Sequence, residues 1–210
     1  MTPHVVSPSR RRAGQIDVSK TAAILDAAAE VLSVRGVAAS MDEIARRAQV
    51  SKQTIYNHYG SKTELVRALC AQRVEEMTAG LESPEAALHP EAALASFGAR
   101  LLRGLAQLRS AAFMRMAMTS VAVMPEIAQA FYEAGPRASR ARLADFLRIE
   151  TLAGRLACPD ALEAAEFFAG MVIGSYQSAA LLGIERGLND AKIEALGREA
   201  ARRFLRAYAV

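Results

Sequence analysis

Three serines at near-equal spacing, Ser40, Ser51 and Ser61, constrain this chain more than any other feature. A serine just before a helix accepts a hydrogen bond from an amide of the first turn. A Glu three residues on can return one to the serine's own amide. Ser40-Met-Asp-Glu43 and Ser61-Lys-Thr-Glu64 both have this capping-box form. The spacing predicts a short helix ending near Ala48, a second from Ser51 through about His58, and a long third one through Leu65, Val66, Leu69 and Val74. Gln49–Val50 and Tyr59–Gly60 are the turns between them. Ahead lies a helix with an N-cap near Ser19, carrying Ile24, Ala27, Ala28, Val31 and Leu32 on one face. It stops at Arg35–Gly36, a basic last residue followed by a C-cap glycine.

The second short helix has an unusual surface. Ile44, Ala45, Ala48, Val50 and Ile55 supply the apolar contact across a tight turn, with Tyr59 expected to face the core. Lys52, Gln53, Thr54, Tyr56, Asn57 and His58 are left on the outer faces, and each can hydrogen-bond to a base edge or a phosphate. No carboxylate occurs from Val50 to Thr63, whereas an ordinary solvated face mixes acids with bases. A carboxylate there would repel a phosphate backbone. A two-turn polar helix braced by an apolar partner is the geometry that enters a DNA major groove. Charge follows the same division: through Lys62 there are nine Lys/Arg against five Asp/Glu, so this first third holds the whole net charge of +4. A small basic module on a neutral body is an electrostatic footprint for polyanions. The tail before it, residues 1–18, carries Arg10, Arg11 and Arg12; these fit either a minor-groove arm or a plain basic tail.

The remainder reads as helices at about 91–108, 110–121, 125–153, 161–182 and 190–208, after a Pro-containing connection, Glu82–Glu91, with a turn of helix at Ser83–Pro84. Asp160-Ala-Leu-Glu163 has the form of another cap signal. Strand formers are scarce, and 52% of residues are apolar against 23% charged, so a packed helical core is expected. No apolar run approaches the ~20 residues that span a bilayer, and no apolar stretch follows the N-terminal arginines as in a secretory signal. A cytoplasmic protein with no membrane partner and two unbridged thiols, Cys70 and Cys158, is expected.

Residues 44–66, IARRAQVSKQTIYNHYGSKTELV, resemble the helix-turn-helix of the tetracycline-repressor (TetR) family, and the likeness extends over 20–69. The resemblance implies an all-α fold: a three-helix helix-turn-helix domain at 19–65 and a larger helical ligand-binding and dimerisation domain at 66–210. It implies that Lys52, Gln53 and Tyr56 face base edges or the adjacent backbone, and that Ser40, Thr54, His58 and Lys62 grip phosphates. Asn57 falls at the groove rim or in solvent. Gln49 stands where the family usually has a turn glycine, and Gln53 where a small residue is frequent. The partners implied are a palindromic double-stranded DNA operator, a second copy of the chain and a small-molecule effector. A ligand-responsive repressor is the expectation; a constitutive DNA-binding protein without an effector is the alternative.

The segment MPEIAQAFYEAGP and the later PDALEAAEFFAGMVIG resemble the regulatory domain of a TetR subgroup related to efflux-pump regulators. Met114, Met116, Met118 and Met124 cluster beside Phe113; methionine suits pockets for varied apolar ligands and equally suits plain core. The pocket residues expected are Phe97, Leu101, Phe113, Met114, Met118, Phe131, Tyr132, Phe168 and Tyr176, with Arg115, Tyr132, Arg137 and Tyr176 as polar anchors. Small and apolar residues at 161–182 and 190–208 suit close packing, and the resemblance places the dimer interface on those two helices. The three histidines, His4, His58 and His89, are scattered, and there is no phosphate loop, nucleophile elbow or metal-spaced Cys/His cluster. No catalytic residue, cofactor or metal is expected.

Overall fold

The computed structural model describes residues 18–210, with side chains from Lys20 onward; the tail at 1–18 and its Arg10–Arg12 arm lie outside that range apart from the backbone of Val18. The described chain is all-helical. Helix α1 (Val18–Arg35) begins before Ser19, which is therefore inside the helix and not its cap. A 3₁₀ turn, Gly36–Ala38, leads to α2 (Met41–Arg47), α3 (Lys52–Tyr59) and α4 (Lys62–Thr78). Ser40 closes a full capping box: the Glu43 amide donates to its Oγ at 3.1 Å and its own amide donates to Glu43 Oε2 at 2.8 Å. Ser51 and Ser61 cap through the amides of Thr54 and Glu64. The second capping box is only half made, because the Ser61 amide donates to the Tyr59 carbonyl and Glu64 turns to Arg67.

Two long helices expected from periodicity are interrupted. Over 125–153 the chain forms α8 (Pro125–Tyr132), a π-helical turn (Glu133–Arg137) and α9 (Ala138–Leu152). Pro136 lacks an amide proton and its ring would clash with the carbonyl four residues back; the wider π turn absorbs both. Over 161–182 the chain forms α10 (Ala161–Ile173) and α11 (Tyr176–Leu181), divided at Gly174, whose φ of 44° a side chain would resist. The remaining helices are α5 (Pro84–Leu88), α6 (Pro90–Ala106), α7 (Leu108–Ser120) and α12 (Asp190–Ala207). Asp160 caps α10, and Asn189 caps α12 through the Lys192 amide.

Two apolar clusters hold these helices. The first gathers Ile24, Leu32, Ile44, Ile55, Leu65 and Leu69 from α1–α4, and is completed by Phe113, Met116, Ile127 and Ala130 from α7 and α8. The second joins α6, α9, α10 and α12 around Leu94, Phe97, Leu147, Phe168 and Phe204. Helix α4 serves both, with Leu65–Cys70 in the first cluster and Met77 packed on the second. The apolar residues of α12 (Ile193, Ala200, Ala201 and Phe204) are spent inside the subunit against α6, and its outer face carries exposed Arg198, Arg202, Arg203 and Arg206. Of the apolar stripe at 190–208, Ile193, Ala200, Ala201 and Phe204 are core of the subunit, while Leu196 and Leu205 stay partly exposed. On α10, Phe168 and Val172 are likewise buried, but Phe167 (58% exposed) and Met171 (45%) face outward. Among the described residues no helix is long and apolar enough to cross a membrane.

Candidate nucleic-acid interface and cavity

Helix α3 is held from below by Ile55, fully buried in the cluster that α2 and α4 share, and from its start by Ser51. Its eight residues span about 12 Å, comparable to the width of a B-DNA major groove. Lys52, Gln53, Tyr56, Asn57 and His58 are exposed on it, and Thr54 is partly so. Several of these side chains already have partners. Lys52 Nζ donates to Asp42 Oδ2 at 2.8 Å, which holds its ammonium above the ordinary lysine value, and lies 5.7 Å from the Tyr56 ring centre. Gln53 Nε2 donates to Asn57 Oδ1, one turn on. Thr54 Oγ1 pairs with Ser51 Oγ at 2.7 Å. The His58 ring stands edge-on to Tyr59, and Tyr59 is half-buried with its phenol pushed up by burial.

Two of the predicted phosphate contacts sit differently from the rest. Ser40 Oγ is engaged by Glu43, whose carboxyl is held below its usual range chiefly by the Ser40 hydrogen bonds. Lys62 Nζ folds back to the Val37 carbonyl at 2.6 Å, tying the start of α4 to the 3₁₀ turn, and burial depresses its ammonium. A one-dimensional reading sees a lysine near a helix start and cannot see that an open carbonyl lies within its reach. In the turn, Gln49 takes φ of 56°, the left-handed conformation its position implied.

Behind this surface lies a cavity of about 400 Å³ between α4, α6, α7 and the π turn. Leu101, Phe113, Met114 and Phe131 of the predicted pocket residues line it; the other five do not. Phe97 and Phe168 pack in the α6–α10–α12 core with their rings tilted and 6.1 Å apart. Met118 and Tyr132 are each 58% exposed, on the outer sides of α7 and α8. Tyr176 packs beneath the charged groups of Arg186 and Lys192. None of the four predicted polar anchors reaches the cavity; Arg115, for example, donates to the Ala180 carbonyl at 3.0 Å. Sequence reading missed the contribution of α4, whose Cys70, Arg73, Val74 and Met77 form one wall. Their i, i+3, i+4, i+7 spacing, an apolar stripe with one arginine in it, was the available signal.

Residues 24–69 match the family model of bacterial regulatory proteins of the tetR family. Residues 92–210 match the model of the AefR-like transcriptional repressor C-terminal domain. The structure is similar to that of the flavonoid-responsive regulator FrrA, with a TM-score of 0.68 and 31% identity, covering 91% of this chain and 97% of that one. It is also similar to a TetR-family transcriptional regulator from Mesorhizobium loti, with a TM-score of 0.73 and 25% identity over 91% of this chain and 98% of the other. In sequence, 59 residues (28% of this chain) are 48% identical to the transcriptional activator FasR of Mycolicibacterium smegmatis, a match that spans 27% of that protein's length.

Proposed function

The chain belongs to the TetR family of DNA-binding transcriptional regulators, and within that family we propose that it is an effector-released repressor that binds a palindromic operator as a homodimer in the cytoplasm. The observation that carries this reading is the double use of α4. Its first half packs in the cluster that supports α3, and its second half walls the cavity. An occupant that shifts this wall changes where α3 points, and differential affinity for the two arrangements converts binding into release from DNA. Phe113 and Phe131, whose rings meet at 5.5 Å, belong to both the cavity wall and the first cluster, so they extend the same connection. Repression is supported by the match of 92–210 to an AefR-like repressor domain, and small-molecule response by the likeness to a flavonoid-responsive regulator. The division into a DNA-binding unit at 19–65 and a regulatory unit at 66–210 belongs to the same proposal, and enzymatic turnover forms no part of it.

In this reading Lys52, Gln53 and Tyr56 read base edges, with Asn57 at the groove rim and Thr54 and His58 on flanking phosphates. Ser40 and Lys62 act mainly by fixing the frame, through Glu43 and Val37. The dimer uses the outer face of α10, where Phe167 and Met171 lie one turn apart. Its symmetry places two α3 helices in successive major grooves, with half-sites about 34–36 Å apart. Selection from a random duplex library tests the assignment. One palindromic site is expected, lost in Tyr56→Ala and, with sedimentation shifting to monomer, weakened in Phe167→Glu. Enrichment of no site above salt-sensitive background overturns it.

A further inference from the structure

We propose that the cavity is built for a monocarboxylate: an apolar acid of about a dozen non-hydrogen atoms whose carboxylate is held by Arg73. This rests on the reading of the cavity as the effector site and adds the ligand's chemical class. The size follows from about 400 Å³, the share of roughly thirteen water molecules at ~30 Å³ each.

The charge argument comes from comparing the four arginines on the wall. Arg140 is paired with Glu166 at 2.6 Å. Arg103 is paired with Glu194 at 2.8 Å and Asp190 at 3.4 Å. Arg100 is exposed and donates to the backbone carbonyl of Glu76. Arg73 is half-buried, and among the described residues no carboxylate makes an ion pair with it, although Glu76 and Asp26 act on it from farther off. Its guanidinium lies over the Phe113 ring, 5.5 Å from the centre, and makes one long contact of 3.5 Å to Ser110 Oγ. Glu76, the single carboxylate on the wall, is exposed and held by Gln72 instead. Burial holds the Arg73 guanidinium below its ordinary value.

A half-buried guanidinium with no carboxylate in direct contact is costly, and a carboxylate is the planar, two-pronged acceptor that it fits best. Two neighbouring polar groups are also poorly partnered. Gln177 Nε2 donates only to the Met114 sulfur at 3.4 Å, a weak acceptor. Ser110 Oγ reaches Gln107 at 3.4 Å. With Arg73 they give the cavity wall a group of polar atoms whose guanidinium no carboxylate contacts directly, and one carboxylate supplies that contact. Phe113, Phe131 and Leu101 supply the apolar wall for the body of the acid.

The test is calorimetric titration of the full chain with decanoate and cinnamate, each against its own primary amide. Wild type, Arg73→Met, Arg73→Lys and a cavity-filling Met114→Trp are compared, with melting curves as the folding control. The expected result is that each acid binds about tenfold or more tightly than its amide. That preference should vanish in Arg73→Met, persist in weakened form in Arg73→Lys, and leave the melting temperature of Arg73→Met undiminished. Equal binding of acid and amide, or a preference that survives Arg73→Met, overturns the proposal. If amides then bind and are blocked by Met114→Trp, the cavity remains the effector site and only its anion chemistry is wrong. If no probe binds and operator binding ignores them all, both readings fall.

Discussion

The ammonium of Lys52, at the first turn of α3, is hydrogen-bonded at 2.8 Å to the carboxylate of Asp42 on α2. The exposed cation best placed to meet DNA is thus partly neutralised by the helix that braces it.

A phosphate or base edge must displace Asp42 to gain Lys52. Asp42→Asn should therefore tighten operator binding by up to about fivefold at low salt. It should also steepen the log–log salt dependence by about one counterion. Fluorescence anisotropy over a salt series measures both, and weaker binding would instead show that Asp42 orients Lys52.

Where α6 crosses α12, a Cβ added to Gly197 would lie 2.6 Å from the Ala95 carbonyl oxygen and 3.0 Å from the Ala99 amide. Both are backbone atoms, so the helices must separate. Overpacking of this kind costs ~1–3 kcal/mol, which outweighs the ~1 kcal/mol that alanine gains in a helix. Gly197→Ala should lower stability by about 1–2 kcal/mol in urea titration. Gly104→Ala, on the same α6 with open space around its Cβ, should not.

Glu199 receives hydrogen bonds from both Arg202 and Arg203, which hold its carboxyl down from 4.5 to about 2. A depressed carboxyl stabilises the fold above its unfolded value and ceases to do so as pH falls through the folded one. The contribution is therefore complete above pH 4.5 and lost on the way to about 2. Melting curves of wild type and Glu199→Gln should differ at pH 5 and converge as the pH is lowered through that window. Curves that stay parallel would assign Glu199 no such role.

Cys70 lines the cavity, yet burial pushes its thiol up to about 12. Reactivity follows the thiolate, so iodoacetamide near pH 8 should leave native Cys70 unmodified and label it only once the chain is unfolded in urea. Rapid labelling of the folded protein at that residue would contradict the burial.

Gln49 holds the left-handed conformation at φ of 56°. That strain is ~1–2 kcal/mol for a residue with a Cβ, and the extra backbone entropy of glycine offsets part of its relief. Gln49→Gly should raise stability by about 0.5 kcal/mol, read from chemical denaturation, with the α2–α3 geometry unchanged.

Much of the DNA-facing half was readable in one dimension because its determinants are local. The Ser40–Glu43 capping box closes within three residues, and Ser51 and Ser61 each bond an amide three residues on. The exposed face of α3 follows from where Ile55 must point. The second capping box failed for an equally local reason, since Glu64 had Arg67 one turn away as a competitor.

The serine caps of α2, α3 and α4 and the outward set of side chains on α3 were thus determined by the sequence itself, since each depends on neighbours a few residues apart. The cavity was decided only by tertiary structure. Phe97 and Phe168 are as apolar as Phe113 and Phe131, yet the first pair fills the α6–α10–α12 core and the second borders the void. Arg73 is one of many arginines until the packing of α4 against α6 and α7 leaves it half-buried at the cavity with no carboxylate in ion-pair contact. Lys62 meets the Val37 carbonyl for the same kind of reason. Residue type states what a side chain tolerates, whereas helix crossings at long sequence separation settle which neighbours it receives.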